Sequence, residues 1–319
     1  MNNSIGNTQN MLENIADNYF EAELHGDFDF LKFYKKRPII IVGNHAGGGL
    51  SWDNIIFDAL FYRKTKELFG ENIKIKRLIH PTLYNDSVRP YLLNNWWKKM
   101  ECYECNIENM YKLCEENEII YISPEGVEGL KKGYHNRGNL VNFSSSFIHI
   151  AKKFDGLIVP NCVINSEYIL PYNYSIEILN KFVNKFTGLP FITISPLLPL
   201  ILFPKYFIVS MPVKLKYNLM PYVDSKELSQ DNYENNKLDA EIIRKKINDY
   251  LTNNKEKITE SLILSNIFSF GSNKKVTFNN LFQHFVEGEL SRKLTRLEKL
   301  QYKLPLIGYL TIKHNAVIN

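Results

Sequence analysis

Residues 38–53 of the chain are Pro-Ile-Ile-Ile-Val-Gly-Asn-His-Ala-Gly-Gly-Gly-Leu-Ser-Trp-Asp. The β-branched run at 39–42 is typical of a buried strand, and the Gly-Asn pair that follows ends it sharply. Residues 52–68 then have the apolar pattern of a helix, with Asp53 or Asn54 near its N-terminus. This stretch predicts a strand, a glycine-rich loop and a helix, and it places His45 just beyond the strand.

The same order of elements recurs along the chain. Apolar runs and amphipathic segments predict further strands at 74–79, 119–123 and 157–164, and helices at 106–117 and 143–154. Strands that alternate with helices are typical of an α/β domain whose functional residues lie at strand ends. We therefore predict an α/β fold with a mixed central sheet flanked by helices.

Helical extensions are expected on both sides of this domain. The α/β domain is assigned to residues 39–225, after an N-terminal helical lead-in over 1–38 that contains a helix at 8–24. Residues 226–319 are expected to form a basic, helical C-terminal extension, with a helix predicted at 278–300.

Composition narrows the classes of partner. Lys and Arg (39) exceed Asp and Glu (34) only slightly, so nucleic acid is not expected as a partner. Four cysteines are too few for a disulfide scaffold, which favours a reducing, cytosolic compartment, and the first twenty residues lack the features of a signal peptide. Cys102 and Cys105 could begin a zinc site, but no second pair follows at the required spacing, so we predict no metal.

The segment Leu189–Val213 is strongly apolar, yet it contains five prolines and Lys205. Each proline removes a backbone hydrogen bond that lipid cannot replace, so a straight membrane helix is not expected. We interpret the segment as core and membrane-facing loop, with a re-entrant or monotopic anchor as the alternative. The basic tail of the C-terminal extension is expected to help hold the protein against a membrane surface through Lys293, Arg296 and Lys299.

His45 is the first candidate for chemistry. It follows a buried strand and precedes Gly47, Gly48 and Gly49, where backbone can approach a ligand closely. An imidazole can accept a proton at neutral pH, and a carboxylate on its other nitrogen would fix its tautomer. Asp53 is the nearest candidate for that carboxylate. The alternative is a glycine-rich turn with an exposed histidine.

The second candidate is the block Ser123-Pro124-Glu125-Gly126 at the end of a predicted strand. It places one carboxylate at the rim of the sheet, beside backbone N–H groups that could bind a hydroxyl or a phosphate. Lys131, Lys132 and Arg137 follow and could neutralise a phosphate. The alternative is a solvated turn followed by lysines.

Together these blocks resemble the glycerophospholipid acyltransferase superfamily, and most closely its bacterial branch with an Asn-His-x-Gly-Gly block. Here that block is Asn44-His45-Ala46-Gly47-Gly48, with Asp53 eight positions after the histidine. Ser123–Val127 corresponds to the second block of the superfamily. Ile158-Val159-Pro160 corresponds to a later one, and residues 189–204 resemble a proline-rich apolar segment.

The resemblance implies transfer of a fatty acyl group from an acyl-CoA or acyl carrier protein (acyl-ACP) thioester to a hydroxyl of a lysophospholipid or other glycerolipid. His45 would be the general base and Asp53 would stabilise the imidazolium. The backbone of Gly47–Gly49 would be one candidate source of oxyanion donors, and Glu125 and Gly126 would hold the acceptor. No bound cofactor is implied. The protein would be cytoplasmic and peripheral or monotopic on a membrane, with a membrane lipid as its acceptor.

The sequence departs from the superfamily in three places. The longer spacer after His45 leaves open whether Asp53 or Asp58 orients it. Glu128 stands where an arginine is common, and the acceptor block is not recognisable near residues 98–109. Two alternatives follow: an acyltransferase that makes neutral lipid or wax ester, or a lipid-binding protein of the same fold without turnover.

Overall fold

A computed structural model gives the fold of the chain. It describes residues 2–46, 50–85, 96–170, 172–188, 190–195, 208–254, 276–278, 280–290, 292–301 and 303–304.

The described strands form one large sheet and one small one. In chain order they are β1 (Glu23–Gly26), β2 (Ile39–Gly43), β3 (Lys76–Ile79), β4 (Tyr103–Glu104), β5 (Ile119–Ile122), β6 (Leu157–Ile164), β7 (Tyr174–Ser175), β8 (Thr193–Ile194), β9 (Lys216–Leu219) and β10 (Val223–Asp224). The large sheet has the order β1-β9-β6-β2-β5-β3-β4, and β10 also pairs with β6. Strands β7 and β8 pair with each other.

The centre of the large sheet is parallel. Strand β2 pairs in parallel with β5 on one side and β6 on the other, and β3 pairs in parallel with β5. Strands β9 and β10 run antiparallel to β6, so the sheet is mixed but mostly parallel. The predicted fold class, a mixed central sheet flanked by helices, is therefore confirmed.

The described helices surround this sheet. They are α1 (Asn2–Asn18), α2 (Trp52–Phe69), α3 (Pro81–Tyr84), α4 (Trp96–Lys99), α5 (Ile107–Glu115), α6 (Gly126–Lys131), α7 (Ser146–Lys153), α8 (Glu177–Thr187), α9 (Tyr233–Asn254), α10 (Leu281–Leu290) and α11 (Arg296–Gln301). None of the helices within the described ranges has the length and apolarity needed to cross a bilayer.

The alternation of side chains along β2 explains why both faces of the sheet are covered. Ile39 and Ile41 belong to a core cluster that includes buried residues of α1, α2 and α10. Ile40 and Val42 point to the opposite face and pack with residues of α5, α7 and α9. A strand buried on both faces needs a continuous apolar run, as this one has.

Two predicted helices differ from the observed ones. The helix predicted at 8–24 ends at Asn18, and Glu21 then has a left-handed backbone (φ 43°) that starts the turn into β1. The helix predicted at 278–300 is two helices, α10 and α11. Thr295 caps α11, because its hydroxyl accepts the Glu298 N–H (3.2 Å) and the Glu298 carboxylate accepts the Thr295 N–H (2.7 Å).

The proposed division into three domains stays a prediction. Helix α1 packs along α2 and α10, and α9 packs against β6. The flanking helices thus share the cores of the central sheet.

Candidate active site

The parallel pairing of β2 and β5 places two candidate residues at one edge of the sheet. Val42 is in register with Ile122, and each chain leaves the sheet immediately afterwards. His45 lies three residues after Val42 and Glu125 three residues after Ile122. Carboxyl ends of parallel strands form the usual binding edge of α/β sheets.

His45 and Asp53 form a buried pair. The Nδ1 atom of His45 lies 2.7 Å from Oδ2 of Asp53. His45 is only 7% exposed and Asp53 is fully buried, so the alternative of an exposed histidine is wrong. The N–H of Asn54 donates to the other Asp53 oxygen (2.9 Å), which fixes the carboxylate at the start of α2. With Nδ1 facing Asp53, Nε2 has no hydrogen-bond partner among the described residues and can accept a proton.

Glu125 is bonded to the backbone of His45. Its Oε1 accepts the His45 N–H at 2.9 Å, and its Oε2 accepts the Val141 N–H at 2.9 Å. The same Oε2 lies 3.3 Å from the ammonium of Lys132, and both side chains of this ion pair are buried. Both carboxylate oxygens of Glu125 are therefore engaged within the chain. Its expected role in holding the acceptor stays a prediction.

Two residues to which the sequence assigned no role, Asn44 and Tyr217, also hold the site in place. The Asn44 side chain donates to the Val163 carbonyl (2.9 Å) and accepts the Val163 N–H (2.7 Å), so it continues the pairing of β2 with β6 beyond Gly43. The Tyr217 hydroxyl donates to the Asp53 carbonyl at 2.7 Å. Burial raises the pKa of Tyr217 well above its ordinary value, so it stays a neutral donor.

The turn after β5 packs closely on the histidine. The Gly126 N–H donates to the Ser123 carbonyl (2.9 Å), and Pro124 accepts the Ser144 N–H (3.0 Å). A Cβ at Gly129 would lie 2.7 Å from Cβ of Glu125 and 3.0 Å from the His45 carbonyl oxygen. Only glycine therefore allows α6 to approach both residues, a requirement that no motif spacing indicated.

Asp58 lies outside this site. Its carboxylate binds Arg77, whose guanidinium also donates to the Asn54 carbonyl at 2.7 Å and stacks over the Tyr121 ring at 4.0 Å. Asp53, and not Asp58, therefore contacts His45.

The predicted phosphate-binding cations have partners of their own. Lys131 pairs with Glu128 (2.9 Å), and Lys132 pairs with Glu125. The Arg137 guanidinium stacks on the rings of Tyr134 (4.2 Å) and Tyr168 (5.4 Å), and its buried Nη1 has no hydrogen-bond partner in the part of the chain that the structure describes.

Gly47, Gly48 and Gly49, the expected oxyanion donors, lie outside the described residues. So do Leu189 and residues 196–207 of the apolar segment Leu189–Val213. The described end of that segment, 208–213, is mostly buried, and the Ile208 carbonyl accepts the indole N–H of Trp52 at 2.6 Å, next to Asp53 in the chain.

Two lysines of the basic tail lie beside one acid. Lys293 is 3.0 Å and Lys299 is 3.8 Å from Glu287. The role of this tail in membrane binding stays a prediction. Within the described ranges, no group of three or more His, Cys, Asp or Glu side chains could hold a metal, and Cys102 and Cys105 are free thiols.

Parts of the chain are similar in sequence to known proteins. No family model matches the chain. It is 27% identical over 164 residues to the chloroplastic phytyl ester synthase 1 of Arabidopsis thaliana, an alignment that covers 48% of this chain and 22% of the plant protein. It is 33% identical over 91 residues to an uncharacterized protein of Mycobacterium tuberculosis, covering 28% of this chain and 24% of that protein. The chain thus spans less than a quarter of the curated relatives it matches.

A solved structure is also similar. The crystal structure of the 1-acyl-sn-glycerophosphate acyltransferase from Thermotoga maritima aligns with 77% of this chain and 79% of its own, with 14% identity and a TM-score of 0.43. The strand order of the large sheet, and not this likeness, defines the fold class.

Proposed function

We propose that the protein is an O-acyltransferase that moves a fatty acyl group from an acyl-CoA or acyl-ACP thioester to a lipid hydroxyl. The contact between His45 Nδ1 and Asp53 Oδ2, buried at the carboxyl edge of the sheet, carries this proposal. Similarity to a plant ester synthase over about half of the chain supports the same class of reaction.

The chemistry needs no covalent enzyme intermediate. Nε2 of His45 accepts the proton of the acceptor hydroxyl while that oxygen attacks the thioester carbonyl carbon. The tetrahedral oxyanion then collapses, the C–S bond breaks, and the thiolate takes the proton from the imidazolium. Asp53 stabilises that imidazolium and fixes the tautomer that leaves Nε2 unprotonated at the start. The N–H groups of residues 47–49 remain the proposed oxyanion donors.

The ion pairs around Glu125 favour a neutral acceptor over a lysophospholipid. A phosphate headgroup needs cations that can turn towards it, but Lys132 is buried against Glu125 and Lys131 is paired with Glu128. The plant relative is named for a phytyl ester, the ester of a neutral alcohol. The unpartnered Nη1 of Arg137 is the feature that favours a phosphate-bearing acceptor.

An acceptor panel tests the proposal. Purified protein is incubated with acyl-CoA or acyl-ACP and, separately, a long-chain alcohol, a diacylglycerol and a lysophosphatidic acid, and release of free thiol and formation of ester are followed. We expect acceptor-dependent thiol release that is fastest with a neutral acceptor. A preference for lysophosphatidic acid that is lost in Arg137→Gln would establish the glycerophospholipid alternative.

The same panel distinguishes an acyltransferase from a lipid-binding protein of this fold that has no activity. A lipid-binding protein of this fold would retain the lipids but release no thiol with any donor and acceptor. That outcome would contradict the proposed activity.

A further inference from the structure

Helix α8 carries large apolar side chains that face solvent. Ile178, Phe182 and Phe186 are spaced four residues apart and so line one side of the helix. They are 81%, 61% and 67% exposed, and the two phenylalanine rings are 4.6 Å apart. We refer to these three residues as the α8 stripe. Tyr174 and Ile176, just before the helix, are exposed as well. Contiguous exposed apolar surface of this kind marks an interaction site, whereas single exposed residues do not.

Helix α8 is attached at both of its ends to segments that follow strands of the central sheet on the side that holds His45. Before α8, the Asn173 carbonyl accepts the N–H of Tyr134, which follows Glu125 and α6 (2.8 Å). After α8, the Gly188 carbonyl accepts the hydroxyl of Thr82 (2.9 Å), in the short helix that follows β3. Because β5 and β3 are parallel neighbours, both attachments follow carboxyl ends of strands. Helix α8 therefore crosses the edge that contains the candidate active site.

We propose that the α8 stripe docks on a lipid bilayer and brings the active-site edge of the protein to the membrane. The stripe is convex and spans about 12 Å along the helix, so it fits a deformable surface better than a shaped protein groove. Lys181 and Lys185 are exposed on the side of the helix next to the stripe, and only Lys181 has a described acidic partner, Glu177 (2.9 Å). Helices that lie in the membrane interface typically carry large apolar side chains on one face and lysines beside them, as α8 does. The choice of lipid as the occupant rests on the proposed function.

A second apolar pair on the surface provides a matched control. Leu238 and Ile242 are also four residues apart on a helix, α9, and are each 64% exposed. Helix α9 packs against β6 and α7 and takes no part in the attachments that hold α8. The substitutions Phe182→Ser with Phe186→Ser, and Leu238→Ser with Ile242→Ser, remove comparable exposed apolar surface from the two helices.

The test is co-sedimentation of the full chain with vesicles of phosphatidylcholine, with and without phosphatidylglycerol. We expect the α8 double variant to partition about tenfold or more weakly than the unaltered protein, since two aromatic side chains that would be buried in the bilayer are lost. The α9 double variant should bind like the unaltered protein. Lys181→Gln with Lys185→Gln should weaken binding to phosphatidylglycerol vesicles more than to phosphatidylcholine vesicles.

Equal vesicle binding by the α8 variant and the unaltered protein would overturn the proposal. Light scattering without lipid provides a second test. If the unaltered protein is a dimer and the α8 variant is a monomer, the stripe binds a second copy of the chain and the proposal is wrong. Acyl transfer to a detergent-dispersed acceptor keeps the two proposals separate. The α8 variant should retain this activity. If the acyltransferase proposal is wrong, neither the unaltered protein nor the variants will transfer an acyl group, but vesicle binding will still differ between them as described.

Discussion

The Glu125 carboxylate accepts the backbone N–H of His45 at 2.9 Å, although the two residues are 80 positions apart in the sequence. The Pro-Glu-Gly block thus holds the loop that carries the candidate base. Because Lys132 pairs with the same carboxylate, we expect a change at either residue of this ion pair to affect the position of His45.

The two aspartates that the sequence left as alternatives should differ in effect. Asp53→Asn removes the charge that stabilises the imidazolium, so kcat for ester formation should fall by about 10²–10⁴ with little change in fold. Asp58→Asn leaves the buried Arg77 without its acid and should lower stability by a few kcal/mol. Activity per folded molecule should remain near that of the unaltered protein. If Asp58→Asn loses activity while Asp53→Asn keeps it, Asp58 and not Asp53 would be the residue that supports the histidine.

The buried pair of Glu125 and Lys132 should be coupled in stability. Glu125→Gln or Lys132→Met alone leaves one buried charge unpaired and should cost about 3–5 kcal/mol in the free energy of unfolding. The double variant should cost clearly less than the sum of the two. Urea unfolding of all four proteins measures this coupling, and additive losses would show that the pair does not interact energetically.

The same variants test whether Glu125 contacts the acceptor. If Glu125 acts through the His45 backbone, Glu125→Gln should lower kcat and leave the KM for the acceptor nearly unchanged. A large rise in that KM with kcat retained would support direct binding, as the superfamily resemblance implies.

Gly43 should not tolerate a side chain. A Cβ at this position would overlap the hydroxyl of the buried Tyr121, so Gly43→Ala should destabilise the protein by about 1–3 kcal/mol. Tyr121→Phe removes the overlapping hydroxyl, and the double variant should recover part of the loss. Thermal unfolding compares the proteins. If Gly43→Ala lowers stability equally in the unaltered protein and in Tyr121→Phe, the loss does not arise from overlap with the Tyr121 hydroxyl.

One ion pair should contribute to stability in a defined pH range. Arg37 donates two hydrogen bonds of 2.7 Å to Asp224 and lowers the pKa of that carboxyl to about 2. Because the folded pKa lies below the unfolded value of about 3.9, the carboxylate stabilises the fold above pH 4, and this contribution disappears as the pH falls to about 2. Asp224→Asn should therefore be less stable at pH 7, with a difference that shrinks between pH 4 and pH 2. A difference that is independent of pH would contradict the assignment.

The sequence predicted the central strands well because each is a short, continuous apolar run between clear breakers. The strand at 157–164 has its predicted bounds, and those of β2 and β5 differ by one residue. Strand β9, Lys-Tyr-Asn-Leu, was not predicted, because it lacks such a run and becomes a strand only through pairing with β6 and β1. The Thr295–Glu298 capping box was a readable signal for α11 that the apolar spacing obscured.

The part of the site that lies close together in the sequence was predictable. Proximity to a glycine-rich loop selected His45 and Asp53, which do meet. Spacing could not indicate that Lys132 turns inward to Glu125, that Asn44 pairs with Val163 of β6, or that Tyr217 of β9 donates to the Asp53 carbonyl. Those contacts depend on the order of strands in the sheet.

The most direct test of the account is the rate of ester formation from an acyl thioester and a long-chain alcohol by the unaltered protein and by His45→Ala. His45→Gln is measured beside it, since a glutamine amide can still donate to the buried Asp53 if the alanine variant fails to fold. We predict that the unaltered protein forms ester and that folded variants are slower by about 10²–10⁴. A folded His45 variant that forms ester at the unaltered rate would contradict the assignment of His45 as the base.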